Sequence, residues 1–374
     1  MTLCGKTYSH VWTTKRDMPM ALSDMTATTV GDTIYLIGGC SQDQLGVNLG
    51  GYFLYSCGGG LAAAVSKKTT AYSPLTDTYS DLPDMPRARY RHAAAEVGGK
   101  IYLFGGTNSN DQVETAIDVF DTSSGQWSTL AEGFPNATAA TTDNGAFAYG
   151  GKIYVVGGYD VDNDWAAQQS MWIFDPSKSG STAWSEGPEL FHERGDFAAI
   201  VVGDSAYVLG GFYDANNFVE PLATLERFDV GVGATSWRVA RSMTVARGDK
   251  AVATVNGALH VIGGETKDAN EHSVPLNDVE VYHPDCNEWQ AGGDIPSDRF
   301  RFTAAAHGDS IFIFGGQGYL QGAWGVGSKY PVLSNVEVYT EKVDDGPIDT
   351  GAAAQTAAGA LGAALLAASL SLSL

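Results

Sequence analysis

The chain has 374 residues, 44% hydrophobic and 11% aromatic, enough to bury a large core, and its 46 glycines beside only 17% charged residues argue for turn-rich β structure rather than helices or disorder. With 43 Asp and Glu against 22 Lys and Arg, its surface repels phosphate backbones and anionic membranes, which argues against general nucleic-acid binding.

In chain order the first element is HVW at residues 10–12, followed by DMP at 17–19. GDTIYLIGG (31–39) then begins a series. It continues with GGKIYLFGG (98–106), GGKIYVVGG (150–158), GDSAYVLGG (203–211), NGALHVIGG (256–264) and GDSIFIFGG (308–316). The first glycines of the pairs, Gly38, Gly105, Gly157, Gly210, Gly263 and Gly315, recur at intervals of 67, 52, 53, 53 and 52 residues. A period near fifty signals a solenoid or a propeller.

Each unit reads as four short strands. In the second, HAAAEV (92–97) is followed by the turn Gly98-Gly99 and the apolar run IYLF. After the glycine pair and a variable loop come AIDVFD (116–121), a short turn and Trp127. Strand two is apolar on both faces, so a sheet must cover it on each side. The aromatics Tyr79, Trp127, Trp184, Trp237 and Trp289 are expected to pack between sheets as core, not as a ligand platform. Unit six has its third strand, NVEVYT (335–340), but no following Trp, and HVW supplies the missing piece. The N-terminal strand is therefore expected to complete the last sheet and remove the open edge.

These glycine-ended apolar runs, VEVY-type third strands and spaced tryptophans resemble the kelch-repeat family over about residues 8–343. The resemblance implies an all-β, six-bladed kelch β-propeller at residues 1–343 closed by the N-terminal strand, with a flexible or helical Ala-rich tail at 344–374. Blade one departs from the pattern in carrying Tyr79 for Trp and about fifteen extra residues after Gly39. Cys40 and Cys57 bracket that insertion. A disulfide there would close a loop worth roughly 3 kcal/mol in the chain-entropy picture; reduced, they are ordinary small side chains.

Sixteen residues before each glycine pair stand Leu22, Arg89, Thr141, Arg194, Arg247 and Arg299; two further on stand Asp24, Arg91, Asp143, Asp196, Asp249 and Arg301. Four arginines in register are expected to ring one channel mouth, where guanidinium forks suit carboxylate or phosphate groups. The structural alternative is that each pairs with the Asp two residues on or with a neighbouring blade. In adaptor proteins that the chain resembles, arginines here hold acidic peptides. That role carries over to Arg89, Arg194, Arg247 and Arg299, with Asp196, Asp249 and the loop residue Trp324 as further contact candidates.

The loops after the glycine pairs carry Tyr52, Phe53, Trp165, Phe212, Tyr213, Phe218, Trp324 and Tyr330, and rings of this size in loops suit recognition. Asp160, Asp162 and Asp164 have the alternate spacing of a calcium loop, but Trp165 and Met171 stand where that loop needs Gly and Glu, so a solvated acidic loop is the expectation. Glu265, Asp268 and His272 resemble, one residue short, an iron-binding set of plant specifier proteins. No cofactor is expected.

The leading expectation is a monomeric, non-enzymatic module that binds a protein partner, with an acidic segment as the candidate ligand, on the loop-bearing face. Two alternatives stay open: a secreted or GPI-anchored propeller that binds or modifies sugars, mutarotase-like or galactose-oxidase-like, and a ubiquitin-ligase substrate subunit acting with a separate partner. At the termini, Met1–Leu3 runs into Cys4, Gly5 and Lys6 with no apolar leader, whereas the uncharged end GALGAALLAASLSLSL resembles a GPI-attachment signal with Asp349 or Gly351 as attachment point. An Ala-rich tail is the plainer reading. Location forks accordingly: cell surface or extracellular if a leader lies upstream of Met1, cytoplasmic otherwise.

Overall fold

The computed structural model describes residues 2–3, 6–42, 44–48, 53–57, 64–131, 133–136, 139–213, 220–269, 273–318 and 330–344. They belong to two compact units, His10–Glu341, and Met1–Ser9 with Lys342–Leu374. In the latter, Thr2 and Leu3 pair antiparallel with Thr7 and Lys6.

The large unit is a six-bladed propeller of four-stranded antiparallel sheets. Blade one holds Thr26–Val30, Thr33–Ile37, Thr69–Ser73 and Thr78–Leu82. Blade two holds Ala93–Val97, Lys100–Phe104, Asp118–Asp121 and Gln126–Thr129. Blade three holds Gly145–Tyr149, Lys152–Val156, Met171–Phe174 and Trp184–Glu186. Blade four holds Ala198–Val202, Ser205–Leu209, Leu225–Phe228 and Arg238–Ala240. Blade five holds Ala251–Val255, Ala258–Ile262, Asp278–His283 and Glu288–Asp294. Blade six takes Thr303–His307, Ser310–Phe314 and Val336–Asp344, and its fourth strand is the N-terminal Lys6–Lys15.

The apolar second strand shows why the sheets stand side by side. Ile101 and Leu103 pack with Ile37 of blade one, while Tyr102 and Phe104 pack with Ile153 and Val155 of blade three. Because side chains alternate along a strand, one run serves two neighbours. The first strands of successive blades touch in order, and that of blade six touches that of blade one. At the closure His10 stacks on Tyr339 at 5.3 Å and Trp12 meets the same ring edge-on at 5.2 Å.

The fourth-strand aromatics stitch the seams. The indoles of Trp127, Trp184, Trp237 and Trp289 donate to the carbonyls of Pro83, Gly133, Pro188 and Arg241 in the preceding linkers. Tyr79 achieves the same with its hydroxyl, 3.0 Å from the Arg16 carbonyl.

The glycine pair has a steric cause. A Cβ on Gly105 would lie 1.9 Å from the Thr141 carbonyl oxygen of the next blade, and one on Gly106 2.5 Å from that of Tyr90 in its own blade. Both residues have positive φ. The close approach lets the Gly106 N–H donate to Thr141 O at 3.2 Å; Gly39, Gly158, Gly211, Gly264 and Gly316 repeat this bond to Arg89, Arg194, Arg247, Arg299 and Leu22. One such backbone bond thus joins each blade to the next, six around the ring.

Candidate functional site

The register arginines do not ring the mouth as expected. Arg89, Arg194, Arg247 and Arg299 are each 0% exposed. Each Nη1 donates to the carbonyl of the first glycine in its own blade, Gly105, Gly210, Gly263 or Gly315, at 2.8–3.3 Å. Each Nη2 meets a carboxylate from the third strand: Asp118 at 2.6 Å, Glu226, Glu280 at 2.8 Å and Glu337 at 2.9 Å. All four acids lie opposite the strand-two residue two before the glycine pair. Blades one and three carry Thr70 and Trp172 at that register, and their sixteen-upstream residues are Leu22 and Thr141. Acid and arginine occur together or not at all. Neither the bond to the Asp two residues on nor an open cationic mouth is the arrangement found, because an unpaired guanidinium buried in a blade would cost several kcal/mol.

The mouth is built instead by Asp24, Arg91, Asp143, Asp196, Asp249 and Arg301. All six have positive φ, between 51° and 56°. Each backbone N–H donates to the carbonyl of the preceding member at 2.9–3.2 Å, a closed circle of six bonds around the axis. Asp196 and Asp249, both contact candidates, are placed here. Arg91 lies 3.8 Å from carboxylate oxygens of both Asp24 and Asp143, and Arg301 reaches Asp249 at 3.0 Å.

One residue further on, Met25, His92, Asn144, Phe197, Lys250 and Phe302 make a second tier, and both tiers line a cavity of about 130 Å³. Below it the channel, lined by the first strands, encloses about 320 Å³. Sequence reading missed His92, Asn144 and Lys250; carrying the register one residue further would have exposed them. Asn144 is 8% exposed, and neither its amide oxygen nor its nitrogen has a hydrogen-bond partner.

Burial and like charge shape this site. Burial, with Asp143 and Asp249 alongside, pushes Asp196 well above the carboxylate range, and the Tyr159 hydroxyl donates to it at 3.1 Å. Burial also raises Asp24 to about 6 against the pull of Arg301 and Arg91. Asp249 resists the same burial because Arg301 and Arg91 outweigh it and hold it low. Glu265, beside Asp249, is pushed up to about 8 by burial and that neighbour. Burial, then the Arg89 charge, takes His92 down to about 3.

The loops after the glycine pairs start at this mouth: Cys40, Thr107, Tyr159, Phe212 and Glu265 each bridge a residue next to the circle, and Gln317–Gly318 pairs with Arg299–Phe300. Small hairpins rise from four of them. In blade one the Cys40–Cys57 disulfide, S–S 2.07 Å, closes the hairpin Gln44–Asn48/Phe53–Cys57. Asp160 accepts from the Asp162 N–H and caps a 3-10 turn, while Asp162 and Asp164 are exposed. Among the described residues no set of three or more His, Cys, Asp or Glu converges as a metal would need. Phe212 is buried and Tyr213 exposed, and Tyr330 meets Phe300 edge-on at 5.3 Å. Trp324, Tyr52, Phe218, His272 and residues 345–374 lie outside the described residues.

The KLHDC2/KLHL20/DRC7 Kelch-repeats domain matches residues 47–231 and 91–316. The chain is similar to the kelch repeat protein M-T8 of Myxoma virus, 23% identical over 68% of this chain and 47% of the relative. It is also similar to Kelch-like protein 36 of Mus musculus, 23% identical over 78% and 43%, and to Kelch-like protein terF of Aspergillus terreus, 27% identical over 69% and 57%. The chain thus spans about half the length of these curated relatives. The solved structure of YjhT superposes with a TM-score of 0.67 at 16% identity, covering 88% of this chain and 99% of that one, a likeness of fold.

Proposed function

The chain belongs to the kelch-repeat β-propeller family, and from that premise we propose that it is an interaction module that binds a protein partner on the face bearing the glycine-pair loops. The observation that carries this reading is the layout of that face: six loops issue around one mouth, four of them as hairpins and one braced by a disulfide. A rigid scaffold presenting varied loops is how repeat folds recognise partners.

The partner's charge follows from the buried arginines. With those four guanidiniums paired inside the blades, the acidic-segment expectation loses its support. Asp162, Asp164 and Glu220 are exposed on neighbouring loops beside Tyr213, itself 39% exposed, in a chain of net charge −21. A basic segment meets complementary potential there, with Tyr213 supplying apolar contact.

Binding of lysine/arginine-rich and glutamate-rich peptides by fluorescence anisotropy tests this. The basic set is expected to bind, to weaken with salt, and to fail against Asp162→Lys/Asp164→Lys/Glu220→Lys. Val232→Glu, at an 82% exposed site on the opposite face, is expected to leave binding unchanged. Preference for the acidic set, or loss through Val232→Glu alone, overturns the reading.

A further inference from the structure

Lys250 occupies the second tier of the mouth. It is 7% exposed, and among the described residues its Nζ donates only to the Asp196 carbonyl oxygen, at a long 3.4 Å. Among the described residues no carboxylate oxygen lies within ion-pairing distance of it. An ammonium so placed lacks the counter-charge that burial demands, whereas a neutral amine needs none. Burial, together with the Arg194 charge, accordingly holds Lys250 well below the ordinary lysine range despite Asp249 and Asp196. A neutral amine has a free lone pair and is a nucleophile at neutral pH.

The side chain runs along the cavity wall, its Nζ beside Gly210. Lys250, Asp196 and Asn144 line the same cavity of about 130 Å³. We propose that Lys250 is a reactive amine that captures small, uncharged carbonyl compounds entering the mouth, as an imine. Charge and size select the class. The chain's net charge of −21 disfavours anionic oxo acids. A cavity of about 130 Å³ admits an aldehyde of a few heavy atoms.

The step balances within the site. The Nζ lone pair forms the C–N bond while the carbonyl π pair moves to oxygen. A proton passes from nitrogen to that oxygen, giving the carbinolamine. Asp196, which burial and its acidic neighbours push toward the protonated form, gives its proton to the hydroxyl. Water then leaves as the nitrogen lone pair forms C=N, and the iminium proton returns to Asp196.

The test uses the full chain at pH 7 with acetaldehyde and borohydride, the hydride reducing any imine to a stable ethylamine, and maps ethylation by peptide mass spectrometry at early times. Lys250 is expected to label at least about tenfold faster than the exposed Lys67, Lys68 and Lys100, to lose that advantage in urea, and to slow with Asp196→Asn. Glyoxylate, an anionic carbonyl, is expected to label it poorly. Labelling of Lys250 no faster than the exposed lysines in the native wild-type chain overturns the proposal without recourse to any variant. Equal labelling by glyoxylate overturns the ligand class.

Discussion

The main-chain N–H of Asp24 donates to the carbonyl of Arg301 at 2.9 Å, joining blade one to blade six with the bond that joins every other pair of neighbours at the mouth. Six non-glycine residues pay left-handed backbone strain of about 1–3 kcal/mol each to hold that circle. They persist there because the seam bonds from the glycine pairs fix the blades on either side. The mouth is therefore preorganised, and what varies around it is the loops.

Removing Arg194 alone leaves Glu226 buried without its counter-charge. Arg194→Ala is expected to cost about 3–5 kcal/mol in urea unfolding, while Arg194→Met/Glu226→Leu recovers most of the loss. A variant of unchanged stability that had lost partner binding would place Arg194 at the interface instead.

The repeat was legible because period, glycine pairs and alternating third strands are backbone requirements written in composition. Closure by Trp12 was legible from the one unit lacking a fourth-strand aromatic. The direction of the arginines was not, because a long side chain at a known register can point to the axis or into its blade. The deciding signal lay in strand three: Asp118, Glu226, Glu280 and Glu337 stand only in units that carry the arginine. Asn144 and Lys250 escaped because their tier has no common chemistry; what unites them is position.

The two kinds of glycine separate cleanly. Gly98 and Gly105 share φ of +63°, but a Cβ at Gly98 meets nothing within 4 Å, whereas one at Gly105 meets a carbonyl oxygen. Gly98→Ala is expected to cost about 1 kcal/mol from the left-handed backbone. Gly105→Ala is expected to cost about 3 kcal/mol or more, since the seam to blade three must open. Thermal unfolding of the two variants side by side checks the ordering, and equal shifts would refute the steric account.

Cys40 and Cys57 are buried against Tyr90 and Val65 at the edge of the mouth. Cys40→Ser/Cys57→Ser is expected to lower stability by about 3 kcal/mol through the freed loop. Hydrogen exchange should rise first in residues 44–57. Uniform exchange across blade one would show that the bridge does not brace the hairpin.

Glu265 and Asp24 should each contribute stability that fades as pH rises from 5 to 8. Glu265 and Asp24 hold protons more tightly folded than unfolded, with folded values near 8 and 6 against ordinary values of 4.5 and 3.8. Their stabilising protonated forms are fully present below the ordinary values and are lost as pH climbs through the folded ones. Asp249, held low, works in the opposite sense below pH 4, and the bases His92, held at about 3, and Lys250, held well below its ordinary range, work in that opposite sense inside the window. For one proton the slope approaches about 1.4 kcal/mol per pH unit. Urea midpoints between pH 5 and 8.5, taken as the difference between wild type and variant, isolate each carboxyl. Glu265→Gln should gain on the wild type as pH rises through the upper half of that range and Asp24→Asn through the lower. A difference that stays constant across the range would mean that both carboxyls are ionised throughout.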